Sequence, residues 1–162
     1  MDMIWSPWRM NYINNKQEGD HCVFCHALEQ KDDPDYLILY RGEHVFIMLN
    51  RYPYTSGHLM VIPYEHCPSH EDLSPAARTE MMDLITRSTS LIRKVYKPHA
   101  FNLGANIGED GGAGISQHFH FHVVPRWRGD SNFMSVTANT RVLPEEVETS
   151  YRRLKEAWDN PD

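Results

Sequence analysis

Three histidines alternate with apolar residues in the run His118-Phe119-His120-Phe121-His122-Val123-Val124. An extended strand sends successive side chains to opposite faces. The spacing therefore predicts a strand with His118, His120 and His122 on one face and Phe119, Phe121 and Val123 on the other. Imidazole changes charge near neutral pH, ligates metal ions and attacks electrophiles through a neutral nitrogen. Packing alone is a poor reason to align three of them. Neighbouring neutral imidazoles on one strand face can share a zinc ion. Alternatively, one imidazole nitrogen attacks phosphorus, and the covalent phosphoramidate divides one difficult displacement into two easier ones.

Cys22-Val-Phe-Cys25 supplies a second cluster. In a reducing compartment a CxxC pair is more often half of a metal site or a redox pair than a disulfide. A redox pair needs a thioredoxin-like strand–helix–strand context, which the flanking sequence does not supply. Zinc needs two further ligands. His66 and one of the aligned histidines are candidates; Cys67 and His70 compete with His66, and spacing alone does not choose. The odd count of three cysteines predicts no disulfide framework.

Asn106-Ile-Gly-Glu-Asp-Gly-Gly-Ala-Gly-Ile-Ser-Gln117 lies directly before the histidines. Five of the nine glycines fall between Gly104 and Gly114. That density suits either a flexible hairpin connection or a loop whose backbone N–H groups converge on a phosphate. A phosphate held there would be delivered to the histidines. Arg126 and Arg128 follow, as added positive potential or as solvated charges. Trp127 offers a ring for stacking on a base, or a rim aromatic.

These groups need a frame. Tyr36 to Tyr40 and Val45 to Asn50 read as a hairpin linked by Arg41-Gly-Glu-His44. Tyr52 to Gly57 is a turn, and His58 to Pro63 and Phe101 to Ile107 are further strands. Ser74-Pro75 opens a long helix. Met81, Leu84, Ile85, Ser88, Leu91, Ile92 and Val95 form its buried stripe, and Pro98 ends it. A last helix begins near Pro144, with Val147, Tyr151, Leu154 and Trp158 on one stripe. Ser6-Pro7 would open a short N-terminal helix, and Asn14 to Asp20 would be a loop. The pattern predicts an α+β fold: a mainly antiparallel sheet of about five strands, a long helix and a C-terminal helix. Residues 1–162 are expected to form one domain.

Apolar residues make up 41% of the chain and charged residues 23%, as in ordinary soluble proteins. A net charge of −6 argues against broad nucleic-acid binding, yet a small anion held by local donors is compatible with it. No apolar run is long enough to cross a bilayer. Met1 to Met10 lack the basic-then-apolar order of a signal peptide. A cytoplasmic protein with neither nucleic-acid nor membrane partners is expected.

Together these residues resemble the histidine-triad (HIT) superfamily, whose mark is His-φ-His-φ-His-φ-φ with φ apolar. His118 to Val124 fits at every position. Gly57-His58-Leu-Met-Val-Ile-Pro63 is similar to the family's Gly-His strand, and Cys22-Val-Phe-Cys25 to its zinc half-site. Val124-Pro-Arg-Trp127, Gly129-Asp130-x-Asn132-Phe133 and Trp5-x-Pro-x-Arg-Met-x-Tyr12 resemble the diadenosine-tetraphosphate phosphorylase/hydrolase branch. The likeness runs from Trp5 to the final helix.

The resemblance implies a HIT-like fold and a nucleotide-binding enzyme. It would cleave the α-phosphate bond of a nucleoside phosphate derivative or dinucleoside polyphosphate through a nucleotidyl-histidine intermediate. His120 would be the nucleophile, and His122, preferably protonated, would hold phosphate oxygens. Water would release a nucleoside monophosphate; a phosphorylase would use inorganic phosphate and release a nucleoside diphosphate. Structural zinc, with no organic cofactor, would be held by Cys22, Cys25, His66 and His118. Asn50 would face the ribose, Asn106 the phosphate, and Gly114 with the backbone around Ile115 and Ser116 would meet the phosphate. Many relatives carry Ser or Thr three or four residues before the triad; here Ile115 and Gly114 stand there, so that hydroxyl is missing unless Ser116 supplies it. Relatives pair sheets edge to edge, which implies a homodimer, with Trp5, Trp8 and Tyr12 as interface aromatics. Two other classes compete: a non-catalytic nucleotide-binding module, and a zinc hydrolase in which His118, His120 and His122 share one ion.

Overall fold

The computed structural model of the chain describes residues 22–130 and 144–161. The segments with Ser6-Pro7, Asn14 to Asp20, Trp5, Trp8, Tyr12, Asn132 and Phe133 lie outside the described residues. Helix α1 is Val23–Glu29, followed by strands β1 (Ile38–Arg41), β2 (Val45–Leu49) and β3 (Leu59–Pro63). A 3-10 turn (His70–Asp72) leads to helix α2 (Pro75–Tyr96), strands β4 (Ala100–Gly104) and β5 (Phe121–Arg126), and helix α3 (Val147–Asp159). The strands form one five-stranded sheet in the order β1-β2-β3-β5-β4, with every neighbouring pair antiparallel. This is the expected α+β architecture. Among the described residues, no helix is long and apolar enough to cross a membrane.

Helix α2 starts and stops where its sequence dictates. Ser74 Oγ accepts from the Ala77 N–H and Pro75 occupies the first turn. Lys97 takes a left-handed conformation at φ 48° and donates its N–H to Arg93 O, and Pro98 bars continuation. Its stripe from Met81 to Ile92 packs on Ile47, Leu49, Leu59 and Val61, with Tyr151, Leu154 and Trp158 of α3 completing that layer. Burying a side chain such as Ile92 contributes about 1.5–3 kcal/mol. The opposite sheet face carries Ile38, Phe46, Met60 and Ile62 under Phe24 and Ala27 of α1.

The structure differs from the sequence reading in three elements. Helix α1 was not foreseen: seven residues bury only Phe24 and Ala27, too few to establish a helical period. The strand expected over Phe101 to Ile107 ends at Gly104, where the glycine-rich loop begins. Strand β5 starts at Phe121, so His118 and His120 precede it. Its last ladder pair with β3 is Val61 with Phe121, and continuing the register would set Phe119 against Pro63. Proline has no N–H to give to a ladder. The Phe119 N–H donates to Cys67 O instead, at 2.7 Å. The alternation nonetheless persists: Phe119 joins the α2-side core, while His118 and His120 pack against Phe24 on the α1 side.

Candidate active site and metal centre

His120 is 6% exposed and its Nδ1 lies 2.9 Å from His118 O. A carbonyl only accepts, so Nδ1 carries the proton and Nε2 keeps its lone pair. Burial pushes the His120 pKa below its ordinary value, outweighing the backbone hydrogen bond that acts the other way. The ring is therefore neutral at pH 7. It stands 5.1 Å from the Phe24 ring and 4.9 Å from that of His122.

His58, which the sequence places in a Gly-His motif at the start of a strand but gives no role at the site, determines the state of His122. It is 1% exposed, its Nδ1 accepts from the Tyr54 N–H at 3.1 Å, and its Nε2 lies 2.9 Å from His122 Nδ1. With Nδ1 accepting, neutral His58 carries its proton on Nε2 and donates to His122 Nδ1. His122 Nε2 must then be the protonated nitrogen. Burial, and secondarily His120, hold the His122 pKa down at about 4. In the free protein His122 is thus a neutral donor, and a bound phosphate would raise its pKa toward the protonated form expected for holding phosphate oxygens. One sequence signal could have found His58. It stands just before β3, two residues from Met60, and alternation puts both on one side; Met60 pairs with His122, making His58 a diagonal neighbour. Gly57, just before it, takes a left-handed conformation at φ +77°, and a Cβ there would meet the Tyr96 ring at 3.0 Å.

At the other end of the triad, Cys22, Cys25, His66 and His118 bring four ligand atoms within 4.8 Å of one another. Cys67 and His70, the sequence competitors, are not among them. Cys22 Sγ lies 3.2 Å from His118 Nδ1, and Cys25 Sγ lies 3.2 Å from His66 Nδ1 and 3.6 Å from His118 Nδ1. Zinc bonds of about 2.0–2.3 Å put tetrahedral ligand atoms roughly 3.3–3.8 Å apart, so the donor set suits that ion. His118 Nε2 donates to Pro63 O at 2.9 Å, which turns Nδ1 toward the thiols, as a ligating histidine is usually held. Burial pushes the Cys25 thiol up to about 11, with Cys22 adding to it, and pushes His118 down to about 4. A cation between them would reverse the thiol shift.

A cleft of about 350 Å³ opens beside His122 and runs along β4 and β5 to Arg126. Asn106 lines it and also braces the glycine loop, donating from Nδ2 to Gly112 O at 3.1 Å. Two loop N–H groups close turns: Gly112 to Glu109 O and Ala113 to Gly108 O. The loop is thus partly self-satisfied. Ile115 packs its side chain against the α1-side core. Ser116 Oγ lies 3.4 Å from Glu109 Oε1. Asn50, at the end of β2, accepts from the Tyr52 N–H and donates its own N–H to His58 O. Trp127 meets the Tyr96 ring edge-on at 6.4 Å and does not line the cleft.

The model of the HIT domain matches residues 31–129. The chain belongs to the HIT family. This HIT chain is 35% identical over 166 residues to the AP-4-A phosphorylase of Mycobacterium tuberculosis, covering 98% of this chain and 85% of that protein. Among solved structures it is similar to a zinc-bound histidine triad family protein from Mycobacterium smegmatis. That match has a TM-score of 0.67 and 29% identity, and covers 85% of this chain and 93% of that one. A hypothetical histidine triad nucleotide-binding protein from Sulfolobus tokodaii matches with a TM-score of 0.69 and 25% identity, over 86% and 93% of the two chains.

Proposed function

We propose that this HIT chain is a nucleotidyl hydrolase or transferase acting at the α-phosphate of a nucleoside phosphate derivative or dinucleoside polyphosphate, with His120 as nucleophile. The observation that carries this reading is the 2.9 Å bond from His120 Nδ1 to His118 O, which leaves Nε2 neutral and unprotonated for attack. In the first step the Nε2–P bond forms and the bond from phosphorus to the leaving phosphate oxygen breaks. In the second, water or another acceptor attacks phosphorus, the P–N bond breaks and His120 is regenerated. His122 Nε2–H, oriented through His58, donates to phosphate oxygens as charge develops on them. Asn50, Asn106 and the backbone at Gly114, Ile115 and Ser116 complete the nucleotide and phosphate contacts. Trp127 offers its ring for stacking on the base.

Cys22, Cys25, His66 and His118 hold structural zinc in this reading. Four protein ligands leave no open position, so the ion when bound ties α1 to the histidine segment and performs no chemistry. The His118 Nε2 bond to Pro63 O supports this arrangement over three histidines sharing one ion. The zinc-bound M. smegmatis relative points the same way.

The relative named AP-4-A phosphorylase matches nearly the whole chain, which favours phosphorolysis as a second reading. Incubation of the protein with diadenosine tetraphosphate, with and without inorganic phosphate, separates the two. AMP plus ATP marks hydrolysis, and ADP marks phosphorolysis. Absence of any nucleotide product across dinucleoside polyphosphates and adenosine 5′-phosphoramidate leaves a binding module and sinks the enzyme assignment.

His58 is a positioning residue in this scheme. His58→Phe, which cannot donate to His122 Nδ1, should lower kcat about 10–100-fold, with KM changed much less. His58→Gln, which restores an N–H donor, should recover part of the loss. Equal damage in both variants would mean that His58 only fills space. The reading includes a homodimer, supported by the exposed apolar Leu103 and Ile107 at the free edge by β4; light scattering on the eluting protein reports its mass.

A further inference from the structure

The cleft beyond His122 is larger than a phosphate needs, and its chemistry differs from that of the triad. Its polar lining includes Thr55, Asn102, Asn106, Arg126 and Asp130, with the Tyr54 ring at the His122 end, 4.7 Å from the His58 ring and 5.9 Å from that of His122. From His122 to Arg126 it follows four residues of strand, about 13 Å. Among the described residues Arg126 is the only Lys or Arg in the lining, and its charge is already engaged. Its Nε and Nη2 donate to the two Asp130 carboxylate oxygens at 2.6 and 2.8 Å, and its Nη1 donates to Asn102 Oδ1 at 2.7 Å. A bidentate pair of this kind is close to neutral as seen by a ligand. Past His122 and Asn106, which face the phosphate in the proposed reaction, a lining of one amide, a hydroxyl and an engaged ion pair is poorly matched to a highly charged phosphate chain. Carboxylate and amide oxygens with amide N–H donors instead suit vicinal sugar hydroxyls, which donate and accept at once. The Tyr54 ring in the lining suits the base attached to such a sugar.

We propose that this cleft is the subsite for the far nucleoside of a dinucleoside polyphosphate, with Asn102 and the Arg126–Asp130 pair contacting its ribose hydroxyls. The inference rests on the proposed reaction and names the substrate class within it. His120 attacks the α-phosphate. The phosphate chain then passes His122, and the group that departs is seated between Asn102 and Tyr54. Substrates with a far nucleoside therefore gain from the cleft, and substrates with a small leaving group do not.

The test compares kcat/KM for diadenosine tetraphosphate and for adenosine 5′-phosphoramidate, whose leaving group is ammonia. Asn102 is exposed on β4, the strand whose free edge the proposed homodimer would use, so its replacement leaves the core intact, and light scattering checks that each variant keeps the wild-type mass. In Asn102→Ala the ratio of the two constants should fall at least tenfold, mainly through KM for the dinucleotide. In Asn102→Lys it should fall as well, because the added cation has no hydroxyl acceptor to offer. A ratio unchanged within twofold in Asn102→Ala would overturn the proposal. A ratio raised in Asn102→Lys would overturn it too, showing that the cleft holds the phosphate chain. Wild-type protein that cleaves neither substrate would instead sink the enzyme reading itself, and that outcome is visible before any variant is made.

Discussion

His120→Ala is expected to lower kcat/KM on diadenosine tetraphosphate by about 10⁴- to 10⁶-fold, a loss of about 5–8 kcal/mol in transition-state stabilisation. Removing the nucleophile leaves only binding and the His122 donor, and neither supplies a covalent route. His120→Asn keeps a donor for His118 O and much of the bulk, so its fold should be retained, yet it should be equally inactive. Mass spectrometry of quenched wild-type enzyme should detect a nucleotidyl adduct on His120 that both variants lack. Activity within tenfold of wild type in either variant would remove His120 from the nucleophile's role.

The pH dependence follows from the same geometry. Attack needs neutral His120, and burial lowers its pKa below the ordinary histidine value. Protonation on acidification therefore sets in late, and the acid limb of kcat/KM should lie below pH 6.5. His122, held at about 4 in the free protein, adds no limb between pH 6 and 8. Diadenosine tetraphosphate is the appropriate probe because it has no terminal phosphate to titrate there. An acid limb above pH 7 would contradict a buried neutral nucleophile.

The second large effect concerns the metal centre. The wild-type chain should carry one zinc per protomer, and the double variant Cys22→Ser, Cys25→Ser should lose it. Thiolate ligation couples metal binding to folding. Here it joins the start of α1 to His66 and His118, more than 40 residues away in sequence. Loss of about 3–5 kcal/mol would lower Tm by roughly 10 °C in a chain of this size. None of the four ligands belongs to the core layer formed by α2, α3 and the far sheet face, so the variant should still unfold cooperatively. Chelator treatment of wild type should reproduce the shift. Zinc retained after both cysteines are replaced would favour an ion held by the three histidines.

Much of this protein was legible from residue order because the relevant physics is local. Ser74, Pro75, the stripe from Met81 to Ile92 and Pro98 delimit α2 within a residue or two, since caps and periodicity act over one or two turns of backbone. The alternation of His118, Phe119 and His120 separated site from core even where the strand itself had not begun. The ligand types Cys, Cys, His and His were likewise readable, but choosing His66 over Cys67 and His70 rested on family resemblance and not on spacing.

What the tertiary structure alone decided was which atom of each histidine does what. His118 is oriented by Pro63 O and His122 by His58, partners 55 and 64 residues distant. An imidazole offers two nitrogens of nearly equal basicity, so its tautomer is set by whichever donor or acceptor the fold places beside it. Sequence could show three imidazoles on one face. Only the sheet register, the proline that ends the β3–β5 ladder and the buried position of His58 make His118 present Nδ1 to the thiols, His120 present a bare Nε2, and His122 present a neutral N–H donor.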